Sequence, residues 1–191
     1  MSQILLVIIS GPPCTGKTTL AKRISTEFRL PLISKDGIKE SLFDSLGWKD
    51  RQWSMKLSLA SYGLIYYFLE SQLTWGRALI VESNFKPEYD TEKFLDLKKK
   101  YNFKPFQIQC KTNGQVLWER FKKRSQSGER HPGHVDHLTY EEFKPSLLKG
   151  ENEILDIGGK VFEVDTTDFG NIDYEGLFVA IQSVAKDHLV A

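Results

Sequence analysis

The chain has 191 residues, 40% of them hydrophobic and 27% charged, the balance of an ordinary globular domain that can bury a core. Its 26 Lys+Arg nearly cancel 25 Asp+Glu for a formal charge of +1, so no whole-molecule field draws it to nucleic acid or to an anionic membrane, and any basic site must be local. Two cysteines, Cys14 and Cys110, are too few for a disulfide framework and lie in no metal-binding spacing, which fits reduced thiols in a cytoplasmic protein.

The apolar start, Ile4 to Ile9, is short and lacks a basic leader or a small-residue cleavage site, so it is expected to be a buried strand rather than a signal peptide or a membrane span. Immediately after it comes Gly11-Pro12-Pro13-Cys14-Thr15-Gly16-Lys17-Thr18, a full match to G-x-x-x-x-G-K-[ST], and then a helical pattern from Lys17 to Arg29. The two glycines let the backbone curl so that successive N–H groups face phosphate oxygens, and the helix adds its positive end. The whole loop, with Thr19, is thus expected to bind ATP phosphates. Lys17 supplies charge to the β- and γ-phosphates and the Thr18 hydroxyl is placed for Mg²⁺; Cys14 carries no side-chain chemistry in this reading.

A second strand, Leu30 to Ser34, delivers Lys35-Asp36 to a helix expected over Gly37 to Ser45. In a sheet of this type the carboxyl ends of the first two strands are expected to lie side by side, so Asp36 should face the γ-phosphate and can take the proton of an attacking alcohol. The alternative is a helix cap. A long helix over Asp50 to Trp75 shows two apolar stripes, one of Trp53, Leu57, Ala60, Leu64 and Phe68, the other of Tyr62, Tyr66, Leu69 and Leu73, and reads as largely buried or pocket-lining.

The third strand, Ala78 to Ser83, ends in Glu82, which either holds a Mg²⁺-bound water or is an ordinary strand-end carboxylate. No guanine-reading Asn-Lys-x-Asp is present, and the single strand-end carboxylate is unlike that of motor ATPases. A helix over Glu88 to Tyr101, a strand over Phe106 to Cys110 and a helix over Val116 to Ser127 follow. On that helix Arg120 and Arg124 sit four apart, with Arg130 beyond, and forked guanidiniums suit the charge spread over a transferring phosphoryl group. A solvated basic face is the alternative.

From Phe121 to His137 large aliphatic residues nearly vanish, which reads as a mobile lid. Its His131, His134 and His137 are broken by Pro132 and Gly133, so zinc is not favoured. Tyr140 to Lys149 and Ile172 to Leu189 read as helices around a last strand, Val161 to Asp165, after which Thr166 and Thr167 either meet the adenine base or make a capping turn.

Strand and helix alternate without a linker or repeat, so one three-layer α/β domain over 1–191 is expected, with the lid at 121–137. In order and position, GPPCTGKTT, SKD, VESNF, LWERFKKR and VDTTD resemble the small P-loop kinases, nearest to zeta-toxin-like kinases, chloramphenicol phosphotransferase and polynucleotide 5′-hydroxyl kinases. The resemblance implies a five-stranded parallel sheet of order 2-3-1-4-5, ATP-dependent phosphotransfer, Asp36 as base, and Arg120 and Arg124 holding the phosphoryl group. Many relatives have Asp where this chain has Glu82. The rival readings are a P-loop ATPase or nucleotide switch acting on a protein partner, and a polynucleotide 5′-hydroxyl kinase. From Val116 to His137 there are only five Lys+Arg against three acidic residues, no track for a nucleic-acid backbone. Phe43, Trp48, Trp53, Tyr62 and Tyr66 are expected to wall an acceptor pocket, so a small-molecule hydroxyl acceptor is favoured over nucleic acid.

Overall fold

A computed structural model describes residues 3–185; the expected end of the last helix, to Leu189, lies outside the described residues. The apolar run at the start forms β1 (Leu5–Ser10), buried at every position. It lies at the centre of an all-parallel sheet with β2 (Leu32–Ser34), β3 (Leu79–Glu82), β4 (Lys104–Lys111) and β5 (Lys160–Asp165), in the order 2-3-1-4-5. The protein therefore has the P-loop kinase fold and strand order implied by its motifs.

Both faces of β1 are covered, which is why its sequence is continuously apolar rather than alternating. Leu5, Val7 and Ile9 pack with Leu20, Ala21 and Ile24 of α1 (Lys17–Phe28) and with Leu177 and Ile181 of α7 (Tyr174–Val184). Leu6 and Ile8 face the opposite layer, where Ile65, Leu69 and Leu73 of α3 (Arg51–Thr74) meet Phe94 of α4 (Pro87–Tyr101). Between these lie α2 (Lys35–Leu46), α5 (Gly114–Ser127) and α6 (Tyr140–Lys149).

The long helix departs from its expected stripes. Its buried row is Ser54, Leu57, Ser61, Ile65, Leu69 and Leu73, while Leu64 and Phe68 are exposed. Serine was not counted as an inward residue, yet Ser61 satisfies its hydroxyl on the carbonyl of Leu57 and Ser54 receives Lys39. The expected lid divides as well. Residues 121–127 complete α5, whose Leu117 and Phe121 form a small core with Leu147 of α6, and only the stretch from Gly128 onward leaves the helix.

Register fixes the site. Ile9 of β1 and Ser34 of β2 both pair with Glu82 of β3, so β3 lies between the first two strands, which are not neighbours as expected, and the carboxyl ends of all three finish in one row. Among the described residues no helix is long and apolar enough to cross a membrane.

Candidate active site

The phosphate loop leaves β1 at Gly11, whose φ of +148° and close approach to β4 exclude a side chain: a Cβ there would lie 2.4 Å from the carbonyl oxygen of Cys110. At Gly16, left-handed at the start of α1, a Cβ would come within 2.7 Å of the Phe169 ring. Cys14, between them, also has a positive φ, and its partly buried side chain packs against the small core of Leu117, Phe121 and Leu147. The loop braces itself from within, because Thr15 Oγ1 donates to the Pro12 carbonyl at 3.0 Å and Lys17 Nζ donates to the same oxygen at 2.7 Å. Lys17 is thereby buried with its ammonium already directed over the loop.

Thr18 Oγ1 donates to Glu82 Oε2 at 3.1 Å, so the hydroxyl at the start of α1 and the carboxylate at the end of β3 meet. Burial raises the Glu82 pKa, with Lys17 opposing it and Asp36 adding to it. Two hard oxygen donors beside a phosphate cup form a donor set that fits Mg²⁺.

Asp36 lies in the first turn of α2, but Ser34 caps that helix, accepting the Gly37 amide at 3.0 Å. The carboxylate is thus not needed as a cap. It is held instead by Lys35 at 3.2 Å and by Arg130, which reaches across the cleft from the lid. Burial pushes the Asp36 carboxyl up, and Arg130, Lys35, His134 and Lys17 together overcome that and hold it well below the usual carboxylate range. Arg130 is shared with Asp136 at 2.7 Å, and Asp136 also accepts from Arg124 at 3.1 Å. Burial raises Asp136, and the two guanidiniums draw it down further than burial lifts it. The Nε of Arg124 is buried and has no hydrogen-bond partner among the described residues, and the side chain lines the cavity.

Arg120 takes a different place. Its two terminal nitrogens donate to the carbonyls of Thr166 and Thr167, each at 2.8 Å, and its guanidinium lies 3.9 Å over the Phe169 ring. The arginines four apart therefore serve different ends of the cleft, Arg124 with Arg130 at the lid and Arg120 at the turn after β5. The Thr166 hydroxyl is buried between Thr112 Oγ1 at 2.6 Å and the Lys111 carbonyl at 3.0 Å. That of Thr167 accepts the Asn113 amide at 2.9 Å. The first ties the turn after β5 to the end of β4 and the second ties it to the start of α5, and it is Phe169 that lines the cavity there.

These residues surround one cavity of about 940 Å³, reached by Gly16, Lys17, Thr18, Thr19 and Glu82 on one side and by Asp36, Arg124 and Arg130 on the other. The expected aromatic wall is corrected: of its five residues only Tyr62 lines the cavity. Phe43 is fully buried beneath the lid, stacked 5.0 Å from His131 and edge-on to His134 at 5.4 Å, while Trp48 meets His131 edge-on at 5.1 Å. Trp53 donates to the Gly47 carbonyl and Tyr66 to Asp90. Apolar character indicated where large side chains gather, and here they gather to seat the lid. His131 also approaches Asp44 at 3.3 Å and His134 meets Glu40 at 2.9 Å, so two of the three lid histidines hold it to α2. His137 is exposed. Among the described residues no group of three or more His, Cys, Asp or Glu side chains could hold a metal ion.

Sequence reasoning gave no part to Ser34, Lys39, Asp136 or Phe169. Of these only Ser34 had a local signal, a serine three residues before Gly37 at a strand-to-helix junction.

The sequence model of a family described as an AAA domain matches residues 6–147. A provisionally assigned kinase from Chloroflexus aurantiacus J-10-fl is 37% identical and superposes with a TM-score of 0.85, covering 97% of this chain and 98% of its own. A sugar kinase from Janibacter sp. HTCC2649 is 14% identical with a TM-score of 0.56, covering 97% of this chain and 95% of its own. A gluconokinase from Sinorhizobium meliloti 1021 is 13% identical with a TM-score of 0.55, covering 98% of this chain and 97% of its own. At those two identities the likeness is one of fold. No curated protein matches the chain.

Proposed function

The chain belongs to the AAA-domain family matched over residues 6–147, and within it we propose an ATP-dependent kinase that transfers the γ-phosphate to a hydroxyl of a small molecule. The observation that carries this reading is the pairing of Asp36 with Arg130 across the cleft, with Asp136 holding Arg130 and Arg124 together beside it. A nucleotide switch needs the loop. A carboxylate on the far wall, facing the γ-phosphate position, is what an acceptor alcohol needs in addition.

The loop amides and Lys17 hold the triphosphate, while Thr18 and Glu82 are the residues that would hold Mg²⁺, which when bound neutralises developing charge on the phosphate oxygens. Arg130 pairs with Asp36, and the buried Nε of Arg124 has no hydrogen-bond partner among the described residues. A γ-phosphate gives both guanidiniums a better acceptor, which loosens the grip on Asp36 and lets the carboxylate orient the hydroxyl. In transfer, the acceptor oxygen bonds to the γ-phosphorus, the bond to the bridging oxygen of ADP breaks, and the hydroxyl proton passes to Asp36. A carboxylate this acidic is a weak base, and it suffices because a loose transition state needs the proton removed late. Lid closure by residues 128–138 keeps water from taking the acceptor's place.

The 37%-identical relative supports the kinase reading, and the sequence order of motifs supports a place near the zeta-toxin-like and chloramphenicol phosphotransferase branch. The test is ADP release with a panel of hydroxyl compounds and with 5′-hydroxyl oligonucleotides. Stimulation of a slow basal rate by small alcohols is expected. Strong turnover that no acceptor alters would assign the chain to the ATPases instead, and efficient, salt-sensitive phosphorylation of oligonucleotides would replace the small acceptor with a nucleic-acid end.

A further inference from the structure

The cavity wall beyond Asp36 is built from α2, α3 and the start of α4, and it is cationic. Lys35, Lys39, Arg51, Lys86 and Lys93 line it. The carboxylates beside them are already engaged. Asp36 faces the reacting hydroxyl, and Asp90 spends one oxygen on the Tyr66 hydroxyl at 2.7 Å and the other on the Lys86 amide at 2.8 Å. Among the described residues Lys39, Lys86 and Lys93 form no ion pair.

Lys39 is the exceptional member. It is 4% exposed, yet its Nζ makes a single hydrogen bond, to the neutral Ser54 hydroxyl at 2.8 Å, and otherwise lies only over the Phe43 ring, 5.2 Å from its centroid. A buried ammonium without a counter-ion is costly, and such groups are retained where a ligand supplies the missing charge. Lys39 lies three residues after Asp36 on the same helix, so the two project from one face with Cβ atoms roughly 5–6 Å apart. A compact molecule can therefore touch both at once.

We propose that the acceptor carries an oxyanion, a carboxylate or a phosphate, which Lys39 receives while Asp36 takes the hydroxyl to be phosphorylated. The inference rests on the kinase reading above for the second ligand of the cleft, and it adds the chemical class of that ligand: an acidic or already phosphorylated alcohol rather than a neutral one. Lys86 and Lys93 reinforce the field of the wall, and Arg51, tied to Glu142 of α6, lines it without being free to serve as the main receptor. The titration of Lys39 agrees. Burial, then Lys35, Arg130 and Arg51, pull it down to about 7 against the opposing pull of Asp36, so the protein's own groups only half-support the ammonium. The groups around it are Lys35, Asp36 and Glu40 on its own helix, Arg51 on α3, and Arg130 and His134 on the lid.

The experiment follows the Lys39 signal by NMR in protein carrying ¹³C-labelled lysine, saturated with a non-hydrolysable ATP analogue and Mg²⁺ so that the phosphate loop is filled. Lys39→Met identifies the signal. Inorganic phosphate, gluconate and neutral glucose are added in turn at matched ionic strength in chloride. A bound anion favours the charged ammonium, so the titration midpoint should rise by about one pH unit with phosphate or gluconate and stay fixed with glucose. Movement with phosphate alone names a phosphorylated acceptor, and movement with gluconate names a carboxylate. If neither anion moves it, the proposal is overturned. Among acceptors, acidic ones should outdo neutral analogues by roughly 10- to 100-fold in kcat/KM, and Lys39→Met should erase that preference. Anion binding at Lys39 without any phosphotransfer would sink the kinase reading alone; phosphotransfer blind to acceptor charge would sink the anion site alone.

Discussion

The two walls of the cleft are built by different means. On the nucleotide wall, loop, metal-side hydroxyl and helix start are contiguous from Gly11 to Thr18, braced by bonds that span three to five residues, such as Thr15 and Lys17 on the Pro12 carbonyl. On the acceptor wall, the bonds that matter join residues 94 positions apart, Arg130 to Asp36 and His134 to Glu40. Backbone geometry makes the first wall, so its chemistry is fixed before any substrate arrives. Side-chain charge makes the second, and that charge is redistributed when a ligand enters. A preformed cup and a rearrangeable clamp should therefore fail differently when cut.

The contrast breaks most severely at the cup. Lys17→Ala removes the charge that the triphosphate needs most, and a loss of about 10³-fold or more in kcat/KM is expected, with weaker nucleotide binding by calorimetry. Thr18→Ala should cost somewhat less and make the activity depend on higher Mg²⁺. Full activity in Lys17→Ala would show that the loop is not the reaction centre.

Next comes the carboxylate on the other wall. Asp36→Asn should lower kcat by roughly 10²- to 10⁴-fold and leave ATP affinity nearly unchanged. Because Ser34 and not Asp36 caps α2, the helix start should hold, and any fall in the thermal midpoint should come from the lost pairing with Arg130 and Lys35. A fall in stability with undiminished turnover per folded molecule would return Asp36 to a structural role. Arg124→Ala follows, at roughly 10²- to 10³-fold in kcat with little change in nucleotide Kd, since the guanidinium charge is most needed by the transition state. Hydrogen exchange of residues 128–138 that is equal with and without nucleotide would count against closure of a lid.

The same division decides what was legible beforehand. All five strands follow from apolar runs and from the alternation with helices, because a doubly covered sheet leaves few other ways to bury Leu5 through Ile9, whereas the order of the sheet came only with the resemblance to small P-loop kinases. The phosphate loop was legible because its parts are adjacent. The aromatic wall was not: Phe43 and Trp48 are hydrophobic enough for a pocket, and no sequence pattern says that His131 and His134 will lie on them. Lys39 looked like any lysine on a helix, since its burial depends on Ser54 of α3 and on the lid. Asp136 acquires its part only when Arg124 and Arg130 converge on it.

The lid histidine offers a smaller effect with a definite sign. Burial first, and Arg130 next, pull His134 down to about 3, against about 6.5 in the unfolded chain. Between those values the unfolded chain holds a proton that the folded one does not. Stability from this group is therefore complete above pH 6.5 and is lost as the pH falls, by about 2 kcal/mol at pH 5. Urea unfolding across pH should show the loss, and His134→Gln should flatten it. An acid loss of the same size in His134→Gln would move the cause to other groups.

The smallest effect sharpens the comparison most, because it separates two arginines that the sequence presents as equals. Arg120 and Arg124 share a helix face and a spacing of four, yet Arg120 is bound by two backbone carbonyls and stacked on Phe169, on the cup's side of the cleft. Phe169 remains 48% exposed and its ring packs close to Gly16, so a flat apolar surface stands beside the phosphate loop with a guanidinium behind it. A planar base is the natural occupant, and an exposed stacking contact of this kind contributes about 0.5–1.5 kcal/mol. Phe169→Ala should then raise the Kd for ATP by roughly 3- to 10-fold and leave kcat at saturation within about two-fold. The same variant should affect inorganic triphosphate far less than ATP, since only ATP has a base to lose. If instead kcat falls as it does in Arg124→Ala, Arg120 and its platform act on the phosphoryl group, and the division of the cleft into a fixed wall and a movable one is drawn in the wrong place.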